Sequence, residues 1–182
     1  PLRDLPIEDR IVTIARARQV IQMPADFMLI AAANPCPCGW HGDPSDRCRC
    51  HPEEIRRYSQ KMSGPLLDRI DLAIHMTNTA PKDLLAPKRG EKSKAIFKRV
   101  LAARKYRDER TSKTKRGDNK TLSDMTKLKD TAQKTLLKAA EALQLTGRSL
   151  ERTLRVARSI ADLNNNVEID ENDILEALSY RL

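Results

Sequence analysis

The most apolar segment of the chain covers residues 27–33 and stops at Asn34, which Pro35 follows. A run of this length, bounded by turn-forming residues, is typical of a buried parallel strand. Residues 70–76 form a second, shorter apolar segment and predict another strand. Ligands of open α/β sheets bind beyond the carboxyl ends of the strands, so Asn34 is a candidate binding residue. An Asn that merely starts a turn before Pro35 explains the pattern equally well.

The remaining periodicity predicts one hairpin and a series of helices. Residues 11–23 alternate loosely between apolar and polar positions, which favours a hairpin over a helix. Pro52 and the two acidic residues after it are typical of a helix start, and this helix is expected to reach about residue 61. Asp170 is a suitable N-cap for the last helix. Helical periodicity in the second half of the chain predicts helices over residues 91–110, 130–143, 147–163 and 171–180.

Charge is concentrated in one part of the chain. Residues 82–120 contain 15 Lys and Arg against 5 Asp and Glu, whereas the whole chain of 182 residues has a net charge of +9. This segment is either a nucleic-acid contact or a solvated linker. Residues 111–120 contain no apolar side chain and predict a solvated loop. Aromatic residues make up only 3% of the chain, so the core must consist of aliphatic side chains.

The sequence contains neither a membrane-spanning run of roughly 18 apolar residues nor a signal-peptide pattern. We therefore expect a cytoplasmic protein with no membrane partner. The first residue is Pro1 rather than an initiator Met, so we expect a fragment of a longer chain.

The chain's four cysteines lie within fifteen residues of one another, with His41 and His51 nearby. In a cytosolic protein such a cluster is more typical of metal ligands or free thiols than of disulfides. Zn²⁺ held by four thiolates would stabilise this polar loop. The C-x-C spacing is tighter than the usual C-x₂-C, and reduced cysteines without a metal, or redox chemistry, are the alternatives. The candidate ligands are Cys36, Cys38, Cys48 and Cys50.

The helix predicted over residues 147–163 has a basic stripe opposite its apolar one. Arg148 lies in its first turn, where Thr146 is available as N-cap and the backbone amides and the helix dipole favour an anion. The other arginines of the stripe are equally well explained as an ordinary charged helix face. The apolar stripe consists of Leu150, Leu154, Ala157 and Ala161, and the basic stripe consists of Arg148, Arg152 and Arg155.

Two motifs resemble the Mg-chelatase-related ComM/YifB family of AAA+ ATPases: Asn34-Pro35-Cys36-Pro37-Cys38-Gly39 and Leu67-Asp68-Arg69-Ile70-Asp71. The resemblance runs along almost the whole chain. It implies an α/β fold class, with a partial AAA+ core of parallel strands and a hairpin over residues 1–80. A basic connection and an all-α helical lid over residues 81–182 would follow.

The resemblance also implies roles for individual residues. Asn34 matches sensor 1, which orients the attacking water, and Arg69 matches the arginine finger offered to a neighbouring subunit. Arg148 matches sensor 2, which contacts the γ-phosphate of ATP. Arg16 and Arg18 would lie on a hairpin that points into the ring's pore and contacts nucleic acid. On the residues alone, Arg69 could simply pair with a neighbouring Asp, and the two hairpin arginines could be charges on a solvent-facing strand.

The family resemblance implies ATP and Mg²⁺ as cofactors of the parent protein and a ring-shaped homo-oligomer, expected to be a hexamer. It also implies action on DNA, in branch migration during natural transformation. The printed sequence lacks a phosphate-binding G-x-x-x-x-G-K-[S/T] loop and an acidic strand end for Mg²⁺. This chain should therefore be inactive alone. The alternatives are a chelatase-like or chaperone-like ATPase that remodels a protein, and a zinc-stabilised nucleic-acid-binding module.

Overall fold

The computed structural model divides the chain into two compact units. The first unit is Pro1–Ile70 and the second unit is Asp71–Leu182, and each is described by itself. The residues described are 10–16, 19–61, 64–67, 69–76, 79, 85, 90–112 and 127–181.

An antiparallel hairpin is the first element among the described residues of the first unit. Strand β1 covers Ile11–Arg16 and strand β2 covers Gln19–Pro24. Each residue of β1 has a partner in β2, and Ile14 lies opposite Ile21 at the centre of the ladder. β-Branched side chains in both strands favour this extended backbone. The hairpin predicted from the alternation in residues 11–23 is confirmed.

The two predicted parallel strands are not formed. Among the described residues the hairpin is the only sheet, and residues 27–34 and 70–76 belong to no strand. A parallel strand needs a neighbour that satisfies its backbone N–H and C=O groups. The side chains of the first segment are exposed, with Met28 at 77% and Ile30 at 85%. The prediction of these strands is wrong, because apolar composition shows what a segment can pack against but not whether a partner strand is present.

Two short helices lie among the described residues of the first unit. Helix α1 covers Pro52–Ser59 and helix α2 covers Gly64–Leu67. His51 caps α1 reciprocally, since its ring accepts a hydrogen bond from the Glu53 N–H and its own N–H donates to the Glu54 carboxylate at 2.9 Å. This capping box and the proline at the first helical position explain why the helix begins where the sequence predicts.

The described residues of the second unit form four longer helices, and each of these was predicted to within two residues at each end. Helices α4, α5 and α6 surround the hydrophobic core, and α3 packs against α5. The helices are α3, Ser93–Ser112; α4, Asp130–Ala142; α5, Gly147–Leu163; and α6, Glu171–Ser179. Residues 113–120, most of the predicted solvated loop, lie outside the described residues.

The core of the second unit is aliphatic, as the low aromatic content predicts. Within the apolar stripe predicted for α5, three members are buried and Leu150 packs against the core from its edge. A parallel bridge between Leu128 and Ile169 joins the chain before α4 to the chain before α6. The buried members are Ala132, Leu136, Leu154, Ala157, Ile160, Ala161, Ile169, Ile174 and Ala177.

Local hydrogen bonds cap α6 at its start and α5 at its end. Asp170 caps α6 reciprocally with Asp173, which confirms the predicted N-cap. At the end of α5, Asn165 adopts a left-handed backbone with φ of 57°, and the Asn166 N–H donates to the Ala161 carbonyl at 2.8 Å. This is the hydrogen bonding of a Schellman motif, in which Asn tolerates the left-handed position. The motif accounts for Asn165, the middle residue of the run of three Asn after α5.

A buried ion network, which the sequence did not indicate, holds α3 against α5. The Arg158 Nε donates to Asp162 Oδ1 at 3.1 Å, and Arg110 donates to both carboxylate oxygens of Asp162 at 3.0 and 3.1 Å. The Asp162 and Arg158 side chains are only 6% and 8% exposed. Arg158 also donates to the Val167 carbonyl at 2.9 Å. A buried charge is tolerated only when it is paired and hydrogen-bonded, as it is here.

No helix in the described part of the chain is long and apolar enough to cross a membrane.

Candidate functional site

Asn34 lies at the start of the cysteine-rich loop rather than at the end of a strand. Its side chain is exposed, and the loop folds back so that Gly39 lies beside it. Gly39 has a φ of 82°, and a Cβ placed on it would lie 3.9 Å from both Cγ and Nδ2 of Asn34. The Gly39 N–H donates to the Cys36 carbonyl at 3.0 Å and closes this turn. Left-handed backbone explains why a glycine follows Cys38.

The loop brings all four cysteines together. The Sγ atom of Cys36 lies 3.3 Å from that of Cys38 and 3.8 Å from that of Cys48. The distance between the Sγ atoms of Cys38 and Cys48 is 3.7 Å. With Cys50 included, the four Sγ atoms all lie within 4.8 Å of one another. A disulfide requires about 2.0 Å between sulfur atoms, so these cysteines are free thiols.

The thiols of Cys38 and Cys50 have very different pKa values. Hydrogen bonds from the Trp40 backbone and from Cys36 outweigh burial and lower the pKa of the Cys38 thiol to about 6. For Cys50, a backbone hydrogen bond with Cys38 lowers the pKa, but the side-chain hydrogen bond with Cys38, burial and the charge of Cys36 outweigh it and raise the pKa to about 12. One thiol of the cluster therefore ionises readily while another keeps its proton. A metal ion would replace the remaining protons when it binds.

Contacts within the loop hold the cysteines in place. The His41 N–H donates to Cys36 Sγ at 3.3 Å, and Cys36 is completely buried. The Arg47 guanidinium lies 4.7 Å from the centre of the Trp40 ring, a cation–π contact across the loop. Asp43 accepts the Ser45 N–H at 2.8 Å and forms a turn at the loop's tip.

Arg69 follows directly after α2. Its N–H donates to the Leu66 carbonyl at 2.9 Å, which continues the helical turn by one residue, and its side chain is half-buried. Asp68, one of the two acidic residues considered as its alternative partners, lies outside the described residues, and Asp71 is exposed.

Arg148 lies in the second unit, at the second position of α5, and its side chain is exposed. The predicted N-cap is confirmed, because the Thr146 hydroxyl accepts the Ser149 N–H at 3.2 Å. Of the other members of the predicted basic stripe, Arg155 is exposed and Arg152 is half-buried. The first turn of a 17-residue helix therefore presents a guanidinium where the helix dipole favours an anion.

Arg16 is the last residue of β1 and is exposed. Arg18 lies outside the described residues. Sequence reasoning proposed the cysteines and Asn34 as site residues, and it did not predict that Gly39 lies near Asn34 or that Trp40 contacts Arg47. The glycine directly after Cys38 was the available signal for the turn, whereas nothing local marks Trp40 as a partner of Arg47.

Comparison with known proteins accounts for both units. Residues 1–84 match the family model described as magnesium chelatase, subunit ChlI, and residues 90–181 match the model of its C-terminal region. These matches imply an AAA+-related fold, and the family is broadly of the ATPase type. The chain belongs to the Mg-chelatase-related AAA+ family that includes ComM and YifB.

Relatives of known name match nearly the whole chain. It is 38% identical over 178 residues to the competence protein ComM of Haemophilus influenzae. It is 36% identical over 180 residues to YifB of Escherichia coli strain K12, and 36% identical over 179 residues to YifB of Salmonella typhimurium. Each match covers 97% of this chain and 35% of the relative. The chain thus spans about a third of the length of these relatives.

Proposed function

We propose that this chain supplies the second half of a nucleotide site in an ATP-dependent AAA+ motor that acts on DNA. The observation that carries the ATP part is Arg148, an exposed guanidinium in the capped first turn of α5. Backbone amides and the helix dipole at such a position favour a phosphate. Similarity to a competence protein along 97% of the chain supports the DNA part.

Three residues have distinct roles in this proposal. Arg148 binds the γ-phosphate as sensor 2, and the exposed Asn34 orients the attacking water as sensor 1. Arg69 acts on ATP bound to a neighbouring subunit, where its charge stabilises the transition state. Its half-buried position after α2 supports this role, because a finger must be held rigidly to contribute to the rate.

We propose ATP and Mg²⁺ as the cofactors. The proposed assembly is a ring-shaped homo-oligomer, a hexamer. In the longer parent protein, the phosphate-binding loop and the acidic Mg²⁺ ligands would lie outside this chain. We propose that residues 1–80 form a core part and residues 81–182 a lid part. We also propose a cytoplasmic location. The basic segment over residues 82–120 and the hairpin arginines Arg16 and Arg18 are the proposed DNA contacts.

A protein-remodelling ATPase is the second candidate. The description of both matching family models as magnesium chelatase favours it, because a chelatase subunit is not a DNA motor. The two functions predict the same ATP site and differ only in the client. The isolated nucleic-acid-binding module has less support, because the family match extends over both units.

ATP hydrolysis by the full-length protein, with and without single-stranded and forked DNA, tests the proposal. We expect DNA to stimulate hydrolysis. Arg69→Ala should lower kcat on the order of 10³-fold or more, by analogy with arginine fingers of GTPases. Arg57→Ala, which removes an exposed arginine from α1, is the matched control and should leave kcat unchanged. A hydrolysis rate that does not change when DNA is added would favour the protein-remodelling candidate. Equal effects of both substitutions on kcat would contradict the role of Arg69 as an arginine finger.

A mixing experiment tests whether Arg69 acts on a neighbour. Arg69→Ala subunits and Asn34→Ala subunits are each expected to be inactive. In mixed rings, a subunit with an intact Asn34 can receive Arg69 from its neighbour, so activity should return. If Arg69 acted within its own subunit, no site in the mixture would be complete, and activity would stay absent.

A further inference from the structure

The geometry points to a single structural Zn²⁺ bound by Cys36, Cys38, Cys48 and Cys50, which fixes the turn beside Asn34. The metal site stands independently of the proposed function. Only its consequence for ATP hydrolysis rests on the role of Asn34 as sensor 1.

The sulfur positions fit one tetrahedral ion. A Zn–S bond is about 2.3 Å long, which places the corners of a tetrahedron about 3.8 Å apart. Three of the distances between Sγ atoms are 3.3, 3.7 and 3.8 Å, and all six are 4.8 Å or less. Small shifts of side chains would complete the tetrahedron.

The ligand set favours zinc over other metals. Four thiolates in a tetrahedral arrangement are typical of Zn²⁺ or of iron–sulfur sites, whereas Mg²⁺ and Ca²⁺ prefer oxygen ligands. A multi-iron cluster would place its own iron and sulfide atoms between the thiolates and would need them farther apart. A site with no open position is typical of structural rather than catalytic zinc.

The surroundings of the cysteines resemble the outer shell of a metal site. The N–H of His41 donates to Cys36 Sγ at 3.3 Å, a hydrogen bond that would stabilise the thiolate form. Cys36 is fully buried, although the loop around it consists largely of polar residues. Neither of the nearby histidines, His41 and His51, belongs to the group of possible ligands, and His51 is engaged as the cap of α1.

The ion would join two elements. Cys36 is two residues after Asn34, and a Cβ placed on Gly39, next to Cys38, would lie 3.9 Å from the Asn34 side chain. At the other end, Cys50 directly precedes His51, which caps α1. Zinc would therefore connect the start of α1 to the turn beside Asn34. A metal would supply order that apolar packing does not, because Cys36 is the only buried apolar residue among the described residues of the first unit.

Metal analysis of the full-length protein, purified without added metal, tests the site. We expect about one zinc per chain, with Cys38→Ser and Cys48→Ser each losing it. His41→Ala is the matched control, since only its backbone contacts the cluster, and it should keep its zinc. Less than about 0.2 zinc per chain in the unaltered protein would overturn the proposal. So would iron in place of zinc, detected by its visible absorption, or zinc that persists in both cysteine variants.

The link to Asn34 is tested with two glycines of the same loop. Gly39 and Gly42 have φ values of 82° and 81°, so alanine is similarly strained at both, but only Gly39 lies near Asn34. In the full-length protein we expect both variants to keep zinc, and Gly39→Ala to lower kcat without raising KM, unlike Gly42→Ala. Equal kcat values for the two variants would overturn the link. If even the unaltered protein hydrolysed no ATP, the proposed function and the link would both fail, whereas zinc content would still decide the metal site.

Discussion

The two units differ in what holds them together. Nine apolar side chains form the buried core of the second unit, whereas the described part of the first unit buries only Cys36. Apolar residues are not lacking in the first unit, since Phe27, Met28 and Ile30 are all more than half exposed. What differs is the arrangement: amphipathic helices cover one another's apolar faces, whereas the extended segment over residues 27–30 leaves its apolar side chains exposed. Order in the first unit therefore depends on hairpin hydrogen bonds, helix caps and the cysteine cluster.

The largest contrast is expected from matched truncations in the two units. Ile174 is completely buried in the second unit, so Ile174→Ala should lower the free energy of unfolding by about 4 kcal/mol. Ile14 in the hairpin is 43% exposed, and Ile14→Ala should cost less than about 1 kcal/mol. Hydrogen exchange of each unit in increasing urea measures both effects. Similar losses would contradict the difference in packing.

The buried ion network allows a second comparison within the second unit. Asp162→Asn leaves two arginines without their carboxylate and should destabilise the unit by about 3 kcal/mol. Asp108→Asn breaks an exposed pair with Arg107 and should cost less than about 0.5 kcal/mol. Urea unfolding followed by the exchange of amides in α5 distinguishes the two. If both variants were equally stable, the network would contribute nothing beyond an ordinary surface pair.

Capping should have a smaller effect. Asp170→Ala removes the reciprocal hydrogen bonds with Asp173 at the start of α6 and should cost about 1 kcal/mol. Asn172→Ala changes an exposed residue of the same turn and serves as control. Thermal unfolding of the two variants is the measurement. An Asp170→Ala variant as stable as the control would show that water replaces the cap.

Thiol reactivity should show the smallest effect, a change of rate without a change of fold. In metal-free protein the lowered pKa of Cys38 keeps its thiolate above about pH 6, and the thiolate is lost as the pH falls through that value. Cys50, whose pKa is raised to about 12, stays protonated at neutral pH. Alkylation at pH 7 followed by peptide mass spectrometry should therefore modify Cys38 before Cys50. The reverse order would contradict the hydrogen bonds within the cluster.

The helices of the second unit could be predicted because their signals are local. Helix α5 runs from Gly147 to Leu163, as predicted, since Thr146 and the apolar periodicity mark its start and its buried face. The buried position of Arg158 could not be predicted in the same way. An arginine in a helix is usually exposed, and its partners include a carbonyl supplied by the turn after α5.

Prediction was poorer in the first unit, where strand formation depends on residues that are distant in the sequence. The hairpin is local and was predicted, but the parallel strands were inferred from composition alone. For the cysteines, clustering along the sequence indicated a common site, and the fold brings their sulfur atoms together. The position of Gly39 near Asn34 depends on a left-handed turn, which a glycine permits but does not require.

The central claim is that a metal orders the first unit while a hydrophobic core orders the second. Hydrogen exchange of the full-length protein, measured with zinc bound and after its removal by a strong chelator, tests this claim most directly. We expect residues 34–59 to lose protection when zinc is removed, while residues 130–180 keep theirs. Protection of residues 34–59 that does not depend on zinc, or an equal loss in both units, would contradict the claim.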